Sequence, residues 1–145
     1  MITTTESEKK SGDFVWQEIK NKLRGGFVVG LKGDLGSGKT AIVKQISSKI
    51  KIKEKVTSPT FNLRKIYPLS VKISGANFVQ HIDLYRIEKP SQEMILEVLE
   101  WVEQPDIISF IEWPESIPQV EKRADLIVKI KPLSKNSREI ELLWK

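Results

Sequence analysis

Gly33-Asp34-Leu35-Gly36-Ser37-Gly38-Lys39-Thr40 sets two glycines, a lysine and a hydroxyl residue at the spacing G-x-x-x-x-G-K-[ST]. Just before it, Phe27-Val28-Val29-Gly30-Leu31 reads as a short, buried, β-branched strand. Just after it, the spacing predicts a helix from about Lys39 to Ile50, with Ile42, Val43, Ile46 and Ile50 on one face. A strand, a glycine-rich turn and a helix in that order make a phosphate-binding loop. The glycines let the backbone curl so that successive N–H groups converge on phosphate oxygens. The helix N-terminus adds its positive dipole end. Lys39 is then within reach of β- and γ-phosphates, and the Thr40 hydroxyl of a Mg²⁺ ion. The spacing alone arises by chance in roughly 0.5% of chains of this size, and the flanking strand and helix make coincidence rarer still.

Upstream, Val15, Trp16, Ile19 and Leu23 fall at helical spacing across residues 13–24, with Gly25-Gly26 as a stop. Downstream, residues 61–67 read as a strand closed by Pro68, and residues 77–82 as another that ends at Asp83. Ser91 is placed to cap a helix whose stripe is Met94, Ile95, Val98, Leu99 and Val102. Residues 107–111 form a short apolar strand stopped by Glu112-Trp113-Pro114. Residues 124–130 and 138–144 read as two strands around Ser134-Lys135-Asn136-Ser137. Alternating helices and strands closed by a hairpin predict an α/β fold. The expected architecture is a mainly parallel sheet of P-loop NTPase type, flanked by helices, with antiparallel C-terminal strands, in one domain over residues 1–145.

Composition removes several chemistries. The chain has 145 residues and a net charge of +5, a length that suits one core without disulfide or metal support. It has no cysteine, which excludes disulfide scaffolds, thiol catalysis and thiolate-held zinc or iron–sulfur centres. A single histidine, His81, cannot make a two-histidine metal site within one chain. No run approaches the ~18 apolar residues of a membrane span, and residues 1–10 lack the apolar core of a signal peptide. The expectation is a cytoplasmic protein with no membrane partner.

Phosphoryl chemistry also needs a carboxylate near the metal and a group that orients water. In doubly wound sheets these sit at the carboxyl ends of strands, facing the crevice of the loop. Asp83 and Glu112 each end a strand in this way; which one ligates metal and which activates water stays open. Thr57-Ser58-Pro59-Thr60 lies where nucleotide hydrolases carry switch segments, and a hydroxyl there can sense Mg²⁺ and the γ-phosphate; a plain helix-to-strand turn is the competing reading. His81 reads as a hydrogen-bonded strand residue. Arg86 reads as a charge-stabilising, partner-binding or merely surface arginine, and Trp113 as a cover for the nucleotide or a plug in the core.

Four motifs now stand in order: the phosphate loop, Ser58-Pro59-Thr60-Phe61, His81-Ile82-Asp83-Leu84-Tyr85-Arg86, and Glu112-Trp113-Pro114-Glu115. Together they resemble the TsaE (YjeE) family, small P-loop ATPases of bacterial tRNA threonylcarbamoyladenosine synthesis. The resemblance implies binding of ATP and Mg²⁺ by one P-loop domain. It also implies a complex with the TsaB–TsaD pair, which modifies adenosine 37 beside the anticodon in tRNAs reading codons that begin with A; tRNA is then met through the complex. Residues carried over by the resemblance are Gly33, Asp34, Leu35, Gly36, Ser37, Gly38, Lys39, Thr40 and Ala41 around the phosphates, with Thr60 and Trp113 near the nucleotide. Thr40, Asp83 and Glu112 fall near the metal, and Lys39, Asp83 and Glu112 form the catalytic set. Three features depart from the family pattern: a long connection at residues 69–76, no glycine in the helix after Pro90, and Gly12 where relatives usually continue a helix.

Two other readings come from different classes. In one, ATP binding orders a docking surface and hydrolysis is incidental. In the other, Lys49, Lys51, Lys53 and Lys55, with Lys20, Lys22 and Arg24, contact RNA phosphates directly.

Overall fold

Val28 and Val29 are both fully buried although a strand points them to opposite faces, so the sheet that holds them must be covered on both sides. A computed structural model, which describes residues 1–5, 7–52 and 63–145, has that arrangement. Its elements run β1 (Ile2–Thr5), α1 (Glu8–Ile19), β2 (Val28–Lys32), α2 (Lys39–Lys49), β3 (Arg64–Ile73), β4 (Ala76–Asp83) and α3 (Gln92–Val102). These are followed by β5 (Ile107–Glu112), a 3-10 turn (Pro114–Ser116), α4 (Pro118–Arg123), β6 (Leu126–Pro132) and β7 (Arg138–Trp144). Among the described residues the strands form one seven-stranded sheet in the order β1-β7-β6-β2-β5-β4-β3.

The four central strands, β6, β2, β5 and β4, are mutually parallel. Antiparallel strands flank them, β3 on one side and β7 on the other. The α/β class, the parallel centre and the antiparallel C-terminal strands are therefore as expected. Alternate side chains serve two cores. Val29, Leu31, Ile108, Phe110, Leu126 and Val128 pack with Val15 and Ile19 of α1 and with Ile42, Val43 and Ile46 of α2. Val28, Ile111 and Ile127 pack with Val98 and Val102 of α3 and Val120 of α4. Ser91 caps α3, its hydroxyl accepting from the N–H of Met94 at 3.1 Å.

Several elements differ from the sequence reading. Pro68 does not end β3; the strand continues to Ile73, because an edge strand tolerates a residue that cannot donate to the ladder. Residues 69–76 are thus no loose connection. They complete β3, with a register shift between Pro68 and Ile73, and turn through Ser74 (φ 40°) and Gly75 (φ 89°) into β4. Helix α1 starts at Glu8, capped by Ser7, and ends at Ile19, so Leu23 is buried outside it. The helix runs through Gly12, whose missing Cβ lets α1 close on α2: a methyl there would sit 2.8 Å from the Cβ of Gln45. Strand β1 and helix α4 carry no periodicity that the sequence reading detected. The switch-like stretch with Thr57, Ser58, Pro59 and Thr60, and the lysines Lys53 and Lys55, lie outside the described residues.

Candidate active site

The parallel register sets the site. Leu31, the penultimate residue of β2, pairs with Glu112 at the end of β5, and Glu112 pairs with Asp83 at the end of β4. The phosphate loop leaves β2 at that level, so two carboxylates arrive beside it without any loop having to reach for them. All three strand ends open on the same side, the carboxyl edge where α/β sheets bind ligands.

The loop turns through Gly36 (φ 78°) and Gly38 (φ 107°), conformations that a Cβ would strain. Gly38 is the N-cap of α2 and makes no side-chain cap bond. The N-terminal N–H groups of that helix are therefore without a side-chain acceptor at Gly38, as an anion cradle requires. Lys39 is nearly buried. Its Nζ donates to the carbonyls of Gly33 at 2.6 Å and Asp34 at 3.0 Å, and lies 4.3 Å from the centre of the Trp113 ring. Burial lowers the Lys39 pKa, opposed by the nearby charges of Glu112, Asp83, Glu115 and Asp34.

Below it, the Thr40 hydroxyl sits 2.9 and 2.8 Å from the two oxygens of Glu112 and donates to that carboxylate. Glu112 is 3% exposed, and its Oε2 also lies 2.5 Å from Nε2 of His81, which is wholly buried. Asp83 is half-buried, its Oδ1 accepting from the N–H of Tyr85 at 3.0 Å. Burial raises the Asp83 pKa; the Tyr85 bond lowers it and the charge of Glu112 raises it further.

Trp113 leaves β5 in a left-handed conformation (φ 59°, ψ 48°), rare for a bulky residue and a form of strain that clusters at functional sites. The bend turns its ring over Lys39 and within 5.2 Å of the Tyr85 ring. A cavity of about 370 Å³ lies between these groups. Leu35, Gly36, Gly38, Lys39, Thr40 and Ala41 line one side, Asp83, Tyr85, Glu112 and Trp113 the other, and Glu8 of α1 the rim.

The structure thus brings Lys39, Thr40, Ala41, Asp83, Glu112 and Trp113 to one cavity. Gly33 and Asp34 meet the Lys39 ammonium through their carbonyls, and Ser37 is buried within the loop. Thr60 lies outside the described residues, and Arg86 is exposed. Glu8, Tyr85 and the direct bond of His81 to Glu112 were not foreseen. Glu8 had no signal; Tyr85 had its place in the motif of residues 81–86, and His81 its two-residue spacing from Asp83 on a strand.

The donor set fits a nucleotide with Mg²⁺. Two carboxylates and a hydroxyl are hard oxygen ligands, and Mg²⁺ keeps most of its positions for phosphate and water. Among the described residues no group of three His, Cys, Asp or Glu side chains offers an all-protein metal cage. An uncapped helix end and a buried lysine suit the phosphates.

Known proteins resemble this chain in sequence and in fold. Residues 5–140 match the family model described as threonylcarbamoyl adenosine biosynthesis protein TsaE. A Rickettsia typhi protein named tRNA threonylcarbamoyladenosine biosynthesis protein TsaE is 35% identical over 93% of this chain and 89% of its own. A Synechocystis protein of the same name is 32% identical over 72% of this chain; the chain spans 64% of that relative's length. The crystal structure of Bacillus subtilis YdiB superposes with a TM-score of 0.67 at 22% identity, covering 97% of this chain and 82% of that one, a likeness of fold. The chain belongs to the TsaE family of threonylcarbamoyl adenosine biosynthesis proteins.

Proposed function

We propose that the chain binds ATP with Mg²⁺ and hydrolyses it, and that this cycle supports a TsaB–TsaD assembly that forms the threonylcarbamoyl group on adenosine 37 of tRNA. The observation that carries the reading is the row Leu31–Glu112–Asp83, which sets Glu112 against Thr40 at the foot of the phosphate loop and Asp83 beside it in the same cavity.

The α2 N-terminus and the loop N–H groups would hold the phosphates, and Lys39 would exchange its own loop carbonyls for phosphate oxygens. Thr40, with Asp83 or Glu112, would hold the cation. When bound, Mg²⁺ supplies positive charge to the phosphoryl oxygens as negative charge develops. The second carboxylate would orient the attacking water. Trp113 and Tyr85 would cover the site and exclude bulk solvent, which strengthens each of these interactions. No arginine is among the described residues lining the cavity, and Arg138, beside Gly38, is paired with Glu8 at 3.6 Å, so slow turnover is expected for the chain alone.

Two measurements test the reading. Lys39→Ala is expected to lower ATP turnover at least tenfold, about 1.4 kcal/mol of transition-state stabilisation, and purified chain should be retained by the TsaB–TsaD pair in an ATP-dependent manner. Failure to bind ATP with or without those proteins, or an unimpaired Lys39→Ala variant, overturns it. Glu112→Ala separates hydrolysis from gating: if it sustains many rounds of tRNA modification, nucleotide binding alone does the work.

A further inference from the structure

His81 sits where the fold calls for a hydrocarbon. It follows Val79 and precedes Asp83 on the face of β4 turned toward α2, among Val79, Ile108 and Phe110, and it is fully buried. A buried polar ring costs stability unless both its nitrogens are bonded. Among the described residues only one is: Nε2 meets Glu112 Oε2 at 2.5 Å, while Nδ1 has no partner there. The ring is thus poorly arranged as a core residue and well arranged as a grip on one carboxylate oxygen.

That grip matters because of the other partner of Glu112. Thr40 Oγ1 now donates to both carboxylate oxygens. That hydroxyl has one hydrogen to give and rotates freely about its C–O bond, whereas the His81 ring is locked in the core as the fixed side-chain donor to Glu112. We propose that His81 is the positioning residue for Glu112, its Nε2–H holding Oε2 so that the carboxylate keeps its aim at the foot of the phosphate loop. The proposal rests on the ATP-hydrolysing reading of this site. A carboxylate oxygen accepts, so Nε2 carries the hydrogen and fixes the tautomer.

The chain has one histidine, so its ring resonances need no assignment. In a ¹H–¹⁵N spectrum of the ligand-free protein, His81 should show one exchange-protected, downfield Nε2–H signal that moves upfield or exchanges away in Glu112→Ala. A hydrogen on Nδ1 with bare Nε2, or a signal indifferent to Glu112→Ala, overturns the proposal. With saturating Mg²⁺ and ATP, His81→Leu, which keeps the bulk and removes the donor, should lower kcat at least tenfold and leave KM for ATP within about threefold. His81→Gln, whose amide can reach the same oxygen, should recover to within about threefold of the parent chain. A folded His81→Leu with unchanged kcat, or a folded His81→Gln as impaired as Leu, overturns it. Should His81→Leu not fold, the spectrum and the Gln variant still decide. A parent chain that hydrolyses no ATP, alone or with the TsaB–TsaD pair, overturns the function proposed above, while the spectrum continues to judge the clamp.

Discussion

Burial pushes the Asp83 carboxyl above its ordinary range; the Tyr85 N–H opposes the shift and the charge of Glu112 adds to it. A carboxyl whose folded pKa is raised binds its proton more tightly in the folded state. Its contribution favours folding at low pH and is lost as pH rises from the unfolded through the folded value. At pH 7 the ionised side chain therefore burdens the ligand-free fold. Asp83→Asn, which retains an acceptor for Tyr85, should melt at a higher temperature than the parent chain in EDTA at pH 7. The gap should close as pH falls below the ordinary carboxylate range. Calorimetry across pH checks this, and a less stable Asn variant at neutral pH contradicts it. Lys39 is shifted the other way by burial, so the site gathers charges that a nucleotide and its cation would compensate. Such instability at a functional centre is the usual trade against stability. The identities of Lys39, Thr40, Asp83 and Glu112 were legible because loop spacing and strand ends are local patterns. The bond from His81 to Glu112 was not, since it joins residues 31 apart on neighbouring strands.

Among the elements, the β3–β4 hairpin shows where local pattern failed. Pro68 looked like a terminator because its ring cannot donate to a ladder, yet at the sheet edge no donor is missed on the open side. The burial of β3 is also irregular, as a register shift interrupts it, so a period of two is hard to see. The turn itself has a defined chemistry. Ser74 and Gly75 both take positive φ, the pattern of a type I′ turn, for which Asn-Gly is preferred. Ser74→Asn should stabilise the fold by several tenths to about 1 kcal/mol, because Asn enters the left-handed region more readily. Gly75→Ala meets no atom within 4 Å and should cost about 1–2 kcal/mol from conformation alone. Urea titration of the two variants tests the turn; equal midpoints would refute it. Helix α1 was partly hidden for another reason: its first turn, Glu8–Lys10, is charged, and only the Ser7 cap marks the start.

Across the whole molecule, the two cores lie on opposite faces of the parallel strands. Helix α2 covers one face of β2, and α3 and α4 cover the other. A ligand at the carboxyl edge of the sheet would meet the phosphate loop, α2, β4 and β5 together, so its binding energy would couple to global unfolding. With Mg²⁺ and ATP at 100 times their Kd, stability should rise by about 2.7 kcal/mol, seen as a Tm higher by several degrees. Lys39→Ala should lose most of that gain, and ligand addition without effect on Tm would argue against a nucleotide site. No described helix is long and apolar enough to cross a membrane. The lysine run read as an RNA contact is not wholly free: Lys49 pairs with Asp13 at 3.3 Å. The sequence by itself determined the phosphate loop, its strand and helix, the α/β class and the residue types that carry the chemistry. Each depends on spacing within a few residues, where backbone geometry is set by local sterics. Only the tertiary structure decided which strands are neighbours, and so that Glu112 stands between Thr40, Asp83 and His81. Strand order is fixed by burial of both sheet faces at once, a constraint that no short window of sequence contains.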